Sequence, residues 1–311
     1  MTTLVFTHPE CRLHDMGRGH PECGARLDAI TDHLRATGLD VALTFREAPL
    51  VDLPTLCLAH SANYVNELDA VLADLETSGD HHAFDPDTIA CAHTRRAVQR
   101  AAGAAVAATE AVVRGEAKAA FCATRPPGHH ATRDTAMGFC FYNNVVVAAR
   151  HALDVMGLNR VAIVDFDVHH GNGTEDIVAG DERILMASFF QHPLYPGSGS
   201  VPKGTNMVNL PVPPYTRGPE IRKLIEAHWV PRLDEFKPEL IFISAGFDAH
   251  REDELGQLGL VEADYEWMTR LLKELAERHA RGRIVSCLEG GYNLGALARS
   301  VASHLRVLTE V

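Results

Sequence analysis

The sequence predicts an α/β fold with a central, mostly parallel sheet flanked by helices. Four short apolar runs recur along the chain, each ends in ionisable or glycine-rich residues, and stretches with helical spacing separate them. Strands buried on both faces of a parallel sheet read as near-continuous apolar runs. Their alternation with helices marks an α/β architecture.

Residues 119–123 (AAFCA) lead into Arg125, Pro126, Pro127, Gly128, His129 and His130. Residues 161–164 (VAIV) lead into Asp165, Asp167, His169 and His170. Residues 240–243 (LIFI) precede Ser244, Gly246, Asp248 and His250, and residues 284–288 (IVSCL) precede Glu289, Gly290, Gly291 and Tyr292. Between the runs, residues 93–113 are rich in alanine, the best helix former. Residues 218–236 place Ile221, Leu224 and Ile225 at helical spacing, and residues 261–280 do so with Met268, Leu271, Leu272 and Leu275. The last segment, 293–309, begins at Asn293 and lines Leu297, Val301, Leu305 and Leu308 along one face. In such folds the site lies beyond the carboxyl ends of the strands. All four runs deliver their polar residues there.

Bulk properties narrow the class. The 311 residues are 46% hydrophobic and contain no Ser/Gly linker, low-complexity tract or repeat, so 1–311 reads as one domain. The opening MTTLVFTHPE lacks the basic and apolar blocks of a signal peptide. No run approaches the roughly 18 apolar residues of a membrane span, so a soluble protein without a membrane partner is expected. Seven cysteines without paired spacing suit a reducing cytoplasm. A net charge of −12 argues against nucleic acid, whose phosphates need a cationic surface, and suits a basic substrate. Self-association into a homo-oligomer is compatible with the sequence.

DFDVHHGNG, residues 165–173, carries the most chemistry. Asp167 and His169 are two apart at a strand end, so both side chains can face one side. Asp248, from another strand end, can complete a three-ligand site with an open position, the arrangement of catalytic zinc. An isolated Asp-x-His is more often a polar turn; the second strand-end aspartate and the histidine pair reverse that judgement. In RPPGHH, residues 125–130, a neutral histidine beside a polarised water can take its proton and later deliver it to a leaving amine. In EGGYN, residues 289–293, the glycines permit close approach or positive φ. Tyr292 there can donate a hydrogen bond to a developing oxyanion.

Together, HPExxxRL (20–27), RPPGHH, GFCFYNN (138–144), DFDVHHGNG, AGFDAH (245–250) and EGGYN closely resemble the zinc-dependent histone deacetylase family. That family includes bacterial lysine deacetylases, acetoin-utilisation proteins and acetylpolyamine amidohydrolases, and shares an ancestral fold with arginases. The motifs keep their order from about residue 18 to the end, and DVHHGNG is closer to the class II branch. The resemblance implies an arginase/deacetylase-like fold and zinc on Asp167, His169 and Asp248. It implies that His130 is the general base and then acid, and that His129, supported by Asp165, helps electrostatically. Asn172 stands where class I members carry an aspartate behind the second histidine, and an amide cannot raise that histidine's pKa as a carboxylate does. Tyr292 matches the tyrosine that polarises the substrate carbonyl.

By the same resemblance, Gly138 and Phe139 belong to a narrow acyl-lysine channel, with Tyr195 where many relatives have phenylalanine and Leu255 on the wall. Asp87 is a candidate for holding the substrate backbone, and Arg26 for lining the inner passage through which acetate leaves. A structural potassium would fall near Asp165, Asp167, His169, Ser188 and Phe189. Two hard oxygen ligands leave Fe²⁺ or Co²⁺ as alternatives to Zn²⁺.

The expected reaction is deacetylation of Nε-acyl-lysine in a peptide or protein. The competing substrate is an acetylated polyamine, but Leu255 replaces the glutamate that polyamine-selective members carry before the following glycine. PECGA (21–25) faintly resembles an entrance-narrowing insertion of those enzymes, yet HPExxxRL keeps its ordinary spacing. A two-manganese ureohydrolase needs further paired aspartates. A non-catalytic acyl-ligand binder would not keep every catalytic position filled.

Overall fold

The computed structural model describes residues 3–310. Its strands are β1 (Thr3–Thr7), β2 (Leu43–Glu47), β3 (His82–Ala83), β4 (Ile89–Ala90) and β5 (Ala119–Cys122). They continue as β6 (Val161–Asp165), β7 (Ile184–Gln191), β8 (Met207–Val212), β9 (Ile241–Ala245) and β10 (Ile284–Leu288). The helices begin with α1 (Glu10–Leu13), α2 (Ala25–Ala36), α3 (Leu53–Leu56), α4 (Ala62–Ser78) and α5 (Thr94–Val113). Then come α6 (Asn144–Asp154), α7 (Asn172–Val178), α8 (Gly218–Leu224), α9 (Val230–Phe236), α10 (Glu262–His279) and α11 (Leu294–Thr309).

Eight strands form one sheet in the order β2-β1-β5-β10-β9-β6-β7-β8, and every pairing in it is parallel. β3 and β4 form a separate antiparallel hairpin. The four expected strands lie side by side at the centre as β5-β10-β9-β6, which is why both of their faces are apolar. Along β6, Val161 and Ile163 enter one core with α5 and α6, while Ala162 and Val164 enter the other with α2, α10 and α11. A strand's period of two thus serves two cores at once.

The expected helix over 218–236 contains a wide turn. Between α8 and α9, residues Ile225–Trp229 form a π-helical turn in which Val230 N–H reaches the Ile225 carbonyl. Pro231 explains it: proline has no N–H, and its ring excludes the carbonyl four residues back.

Topology places the site. The carboxyl ends of β5, β10, β9 and β6 are neighbours, so the segments following Cys122, Leu288, Ala245 and Asp165 meet at one end of the sheet. Among the described residues no helix is long and apolar enough to cross a membrane.

Candidate metal centre and catalytic site

Asp167, His169 and Asp248 converge as their strand-end positions predict. One potential ligand atom from each lies within 4.8 Å of the others. His169 Nδ1 is 3.0 Å from Asp167 Oδ1 and 3.2 Å from Asp248 Oδ2. Burial works against charge on Asp167, but the rings of His129 and His169 hold its carboxyl below the usual range. Burial and the neighbouring Asp167 push Asp248 up to about 7. Its Oδ2 is buried and, although His169 Nδ1 lies 3.2 Å away, makes no well-aligned hydrogen bond. Two buried carboxylates this close call for a cation, because the interior does not solvate them.

Glycine makes the close packing possible. Gly290 N–H donates to Asp167 Oδ2 at 2.8 Å, and a Cβ at Gly290 would collide with the carboxylates of Asp248 and Asp167. Gly290 therefore serves close approach, whereas Gly291 adopts a positive φ of 119°.

The two histidines have contrasting supports. His129 Nδ1 lies 3.0 Å from Asp165 Oδ2, and His130 Nδ1 lies 2.7 Å from Asn172 Oδ1. The rings are 4.0 Å apart, centroid to centroid. Burial opposes a charge on His129, but Asp167 and Asp165 outweigh it and raise the ring to about 10. For His130, burial and the adjoining rings of His129 and His169 drive the pKa well below its ordinary value. The amide oxygen of Asn172 keeps the proton on Nδ1 and leaves Nε2 as the free lone pair. Tyr292 stays a protonated donor, since burial and then Asp248 push its phenol well above the ordinary value.

A channel of about 250 Å³ reaches this centre, lined by Asp85, Asp87, His130, Gly138, Phe139, His169, Leu194, Tyr195, Leu255 and Tyr292. Phe139 sits edge-on to Tyr292 at 5.8 Å, and Tyr195 edge-on to His130 at 5.1 Å. The comparisons agree with this geometry. The family model "Histone deacetylase domain" matches residues 20–308.

The chain belongs to the histone deacetylase family.

A Pseudomonas aeruginosa "Histone deacetylase-like amidohydrolase" is 36% identical over 282 residues, covering 88% of this chain and 72% of that protein. A Synechocystis protein, slr0245, is 39% identical over 99% of both chains. The crystal structure of the HDA15 HD domain superposes with a TM-score of 0.91 at 31% identity, covering 99% of this chain and 88% of that one. The sheet-and-helix architecture is thus that of the arginase/deacetylase fold.

Within this histone deacetylase fold, Arg26 stands apart from the other residues expected to contact substrate, because Gly138, Phe139, Tyr195, Leu255 and Asp87 line the channel and Arg26 does not. It is buried behind Tyr292, its guanidinium carbon 5.0 Å from the ring centroid. It donates to the carbonyls of Gly291 at 2.7 Å and Glu289 at 2.5 Å. Asp165 pairs in register with Ser188 across β6 and β7, and the buried Ser188 Oγ has no partner. Phe189 follows it in β7, stacked on Trp229 at 5.9 Å.

Several working carboxylates escaped the sequence reading. Glu289 accepts N–H bonds from Gly128 at 2.7 Å and His129 at 3.1 Å, which fixes the histidine loop. Glu22 binds both Arg125 and Arg26. Burial opposes its charge, yet Arg125 and Arg26 hold it down to about 2. Asp85 accepts from Gly138 N–H at 3.3 Å and from Asp87 and Thr88 N–H groups, shaping the channel mouth. The Asp-Pro step within residues 84–88 (FDPDT) is a turn signal that could have pointed to Asp85; the partners of Glu22 and Glu289 lie too far along the chain for spacing to reveal them.

Proposed function

We propose that the chain is a zinc-dependent amidohydrolase that removes acyl groups from Nε-acyl-lysine in peptides or proteins. The observation that carries this reading is a cluster of Asp167, His169 and Asp248 at the base of a narrow channel, with His130 and Tyr292 both facing it. The unpartnered Asp248 Oδ2 and the two-carboxylate, one-imidazole donor set fit a divalent cation. The cation, when bound, polarises the acyl carbonyl and acidifies a water. Asp167 and Asp248 would together offset the formal charge of a bound divalent cation, which leaves more of the deprotonation to the protein's own base.

His130 is that base. Kept neutral by its surroundings, its Nε2 takes a proton from water as the oxygen attacks the carbonyl carbon. The same proton then passes to the amine nitrogen as the C–N bond breaks, giving a carboxylic acid and a free amine; water's second proton then moves from the acid to the amine, leaving a carboxylate and an ammonium group. Tyr292 donates its phenolic hydrogen bond to the oxygen that becomes negative. The His129–Asp165 pair lies against His130 and orients it, and Asn172 holds the useful tautomer.

Potassium is proposed beside Asp165, Asp167, His169, Ser188 and Phe189, supported by the unpartnered Ser188 Oγ next to Asp165. The polyamine reading draws support from Asp85 and Asp87 at the mouth, and the apolar Leu255 on the wall favours an alkyl stem. Comparing kcat/KM for an acetyl-lysine peptide and an acetylated polyamine separates them. The lysine reading predicts faster peptide turnover; the reverse ranking would overturn it.

A further inference from the structure

Tyr292 follows two glycines, so its own backbone preferences do not decide where the phenol points. The Gly291–Tyr292 peptide is instead held at both ends. Arg26 Nε donates to the Gly291 carbonyl at 2.7 Å, and Asp253 Oδ2 accepts the Tyr292 N–H at 2.6 Å. A peptide unit is a rigid plane, so bonds to its oxygen and its N–H together fix its rotation.

Asp253 does more than hold one amide. The same Oδ2 accepts the Asn293 N–H at 3.0 Å, and Oδ1 accepts the Leu255 N–H at 3.1 Å. Its own N–H donates to the His250 carbonyl at 2.9 Å, which anchors it in the turn after Asp248. The residue is buried. One carboxylate therefore joins the turn after a metal-ligand candidate, the channel wall at Leu255 and the backbone of Tyr292.

We propose that Asp253 is a positioning residue that aims the Tyr292 phenol at the reacting carbonyl and links that aim to the channel wall. The proposal rests on the acyl-lysine hydrolase reading above. Three N–H donors share two carboxylate oxygens, and an asparagine would turn an NH₂ group toward at least one of them. The charge also strengthens each bond. Asp253→Asn keeps the shape and removes the clamp.

The test combines steady-state kinetics on an acetyl-lysine peptide with amide hydrogen exchange, using the full zinc-loaded chain. Four proteins are compared: wild type, Asp253→Asn, Tyr292→Phe and the double variant. Asp253→Asn should lower kcat about tenfold while KM changes less than about twofold, because a hydrogen bond made in the transition state is misplaced. In the Tyr292→Phe background the same substitution should cost nothing further. Exchange at Leu255 and at residues 289–293 should quicken in Asp253→Asn and stay unchanged elsewhere. Equal losses in both backgrounds, including losses from misfolding, or unchanged exchange would overturn the proposal. A wild-type chain that turns over no acyl-lysine peptide would sink the functional reading instead, and the exchange result would still judge the clamp.

Discussion

His130 Nδ1 lies 2.7 Å from the amide oxygen of Asn172, while its neighbour His129 faces the carboxylate of Asp165. Two adjacent imidazoles thus have supports of different charge, and the less supported one faces the channel. Asn172→Asp should make the two alike. A carboxylate beside Nδ1–H favours the imidazolium, so His130 would need a higher pH to become a base. The acid limb of the kcat/KM profile should move upward by about one pH unit. An unmoved limb would show that the amide does not tune the base.

Removing the base or the phenol should act on turnover more than on binding. Tyr292→Phe should lower kcat by roughly 100-fold with little change in KM, the usual cost of losing one oxyanion donor. His130→Ala should fall as far or further. Turnover undiminished in either variant would exclude the proposed mechanism.

The sheet's centre was legible because β5, β10, β9 and β6 bury both faces and end in polar motifs. The flanks were not. β2 carries the exposed Thr44–Glu47 stretch at one edge, and β8 interrupts its apolar pattern with Asn209 and Pro211 at the other. The site was legible where one strand end supplied a whole motif, as with Asp165 to Asn172. It was hidden where function depends on pairing across the fold, as between Glu22 and Arg125 or Asp253 and Tyr292. Helical spacing over 218–236 concealed the π turn that Pro231 imposes.

Metal binding should stabilise the fold by mass action, because the buried Asp167 and Asp248 lose a compensating charge without it. Chelation should lower the melting temperature, and one equivalent of zinc should restore it. In Asp248→Ala the zinc-dependent shift should vanish. A shift retained in that variant would place the stabilising metal elsewhere.

Acid should destabilise the protein through buried neutral histidines away from the centre. His60 Nε2 accepts the Asn143 N–H at 2.9 Å, and burial lowers its pKa to about 4. His304, between Thr269 and Ser286, is lowered by burial to about 3. A folded pKa below the unfolded value of about 6.5 means that the unfolded chain binds more protons in between. Stability from His60 is therefore full above about pH 6.5 and falls by about 1.4 kcal/mol per pH unit down to about pH 4. Urea unfolding across this range should show the loss, and His60→Gln should flatten it. Equal slopes for the two proteins would contradict the assignment.

The central claim is hydrolysis of acyl-lysine at a single metal centre. It is tested most directly by titrating zinc into the chelated chain while following amine release from an acetyl-lysine peptide. The account predicts a rate that rises to a plateau at one zinc per chain, with one acetate formed per amine. A plateau at two metals, or no amine release from a chain that has bound its zinc, would contradict it.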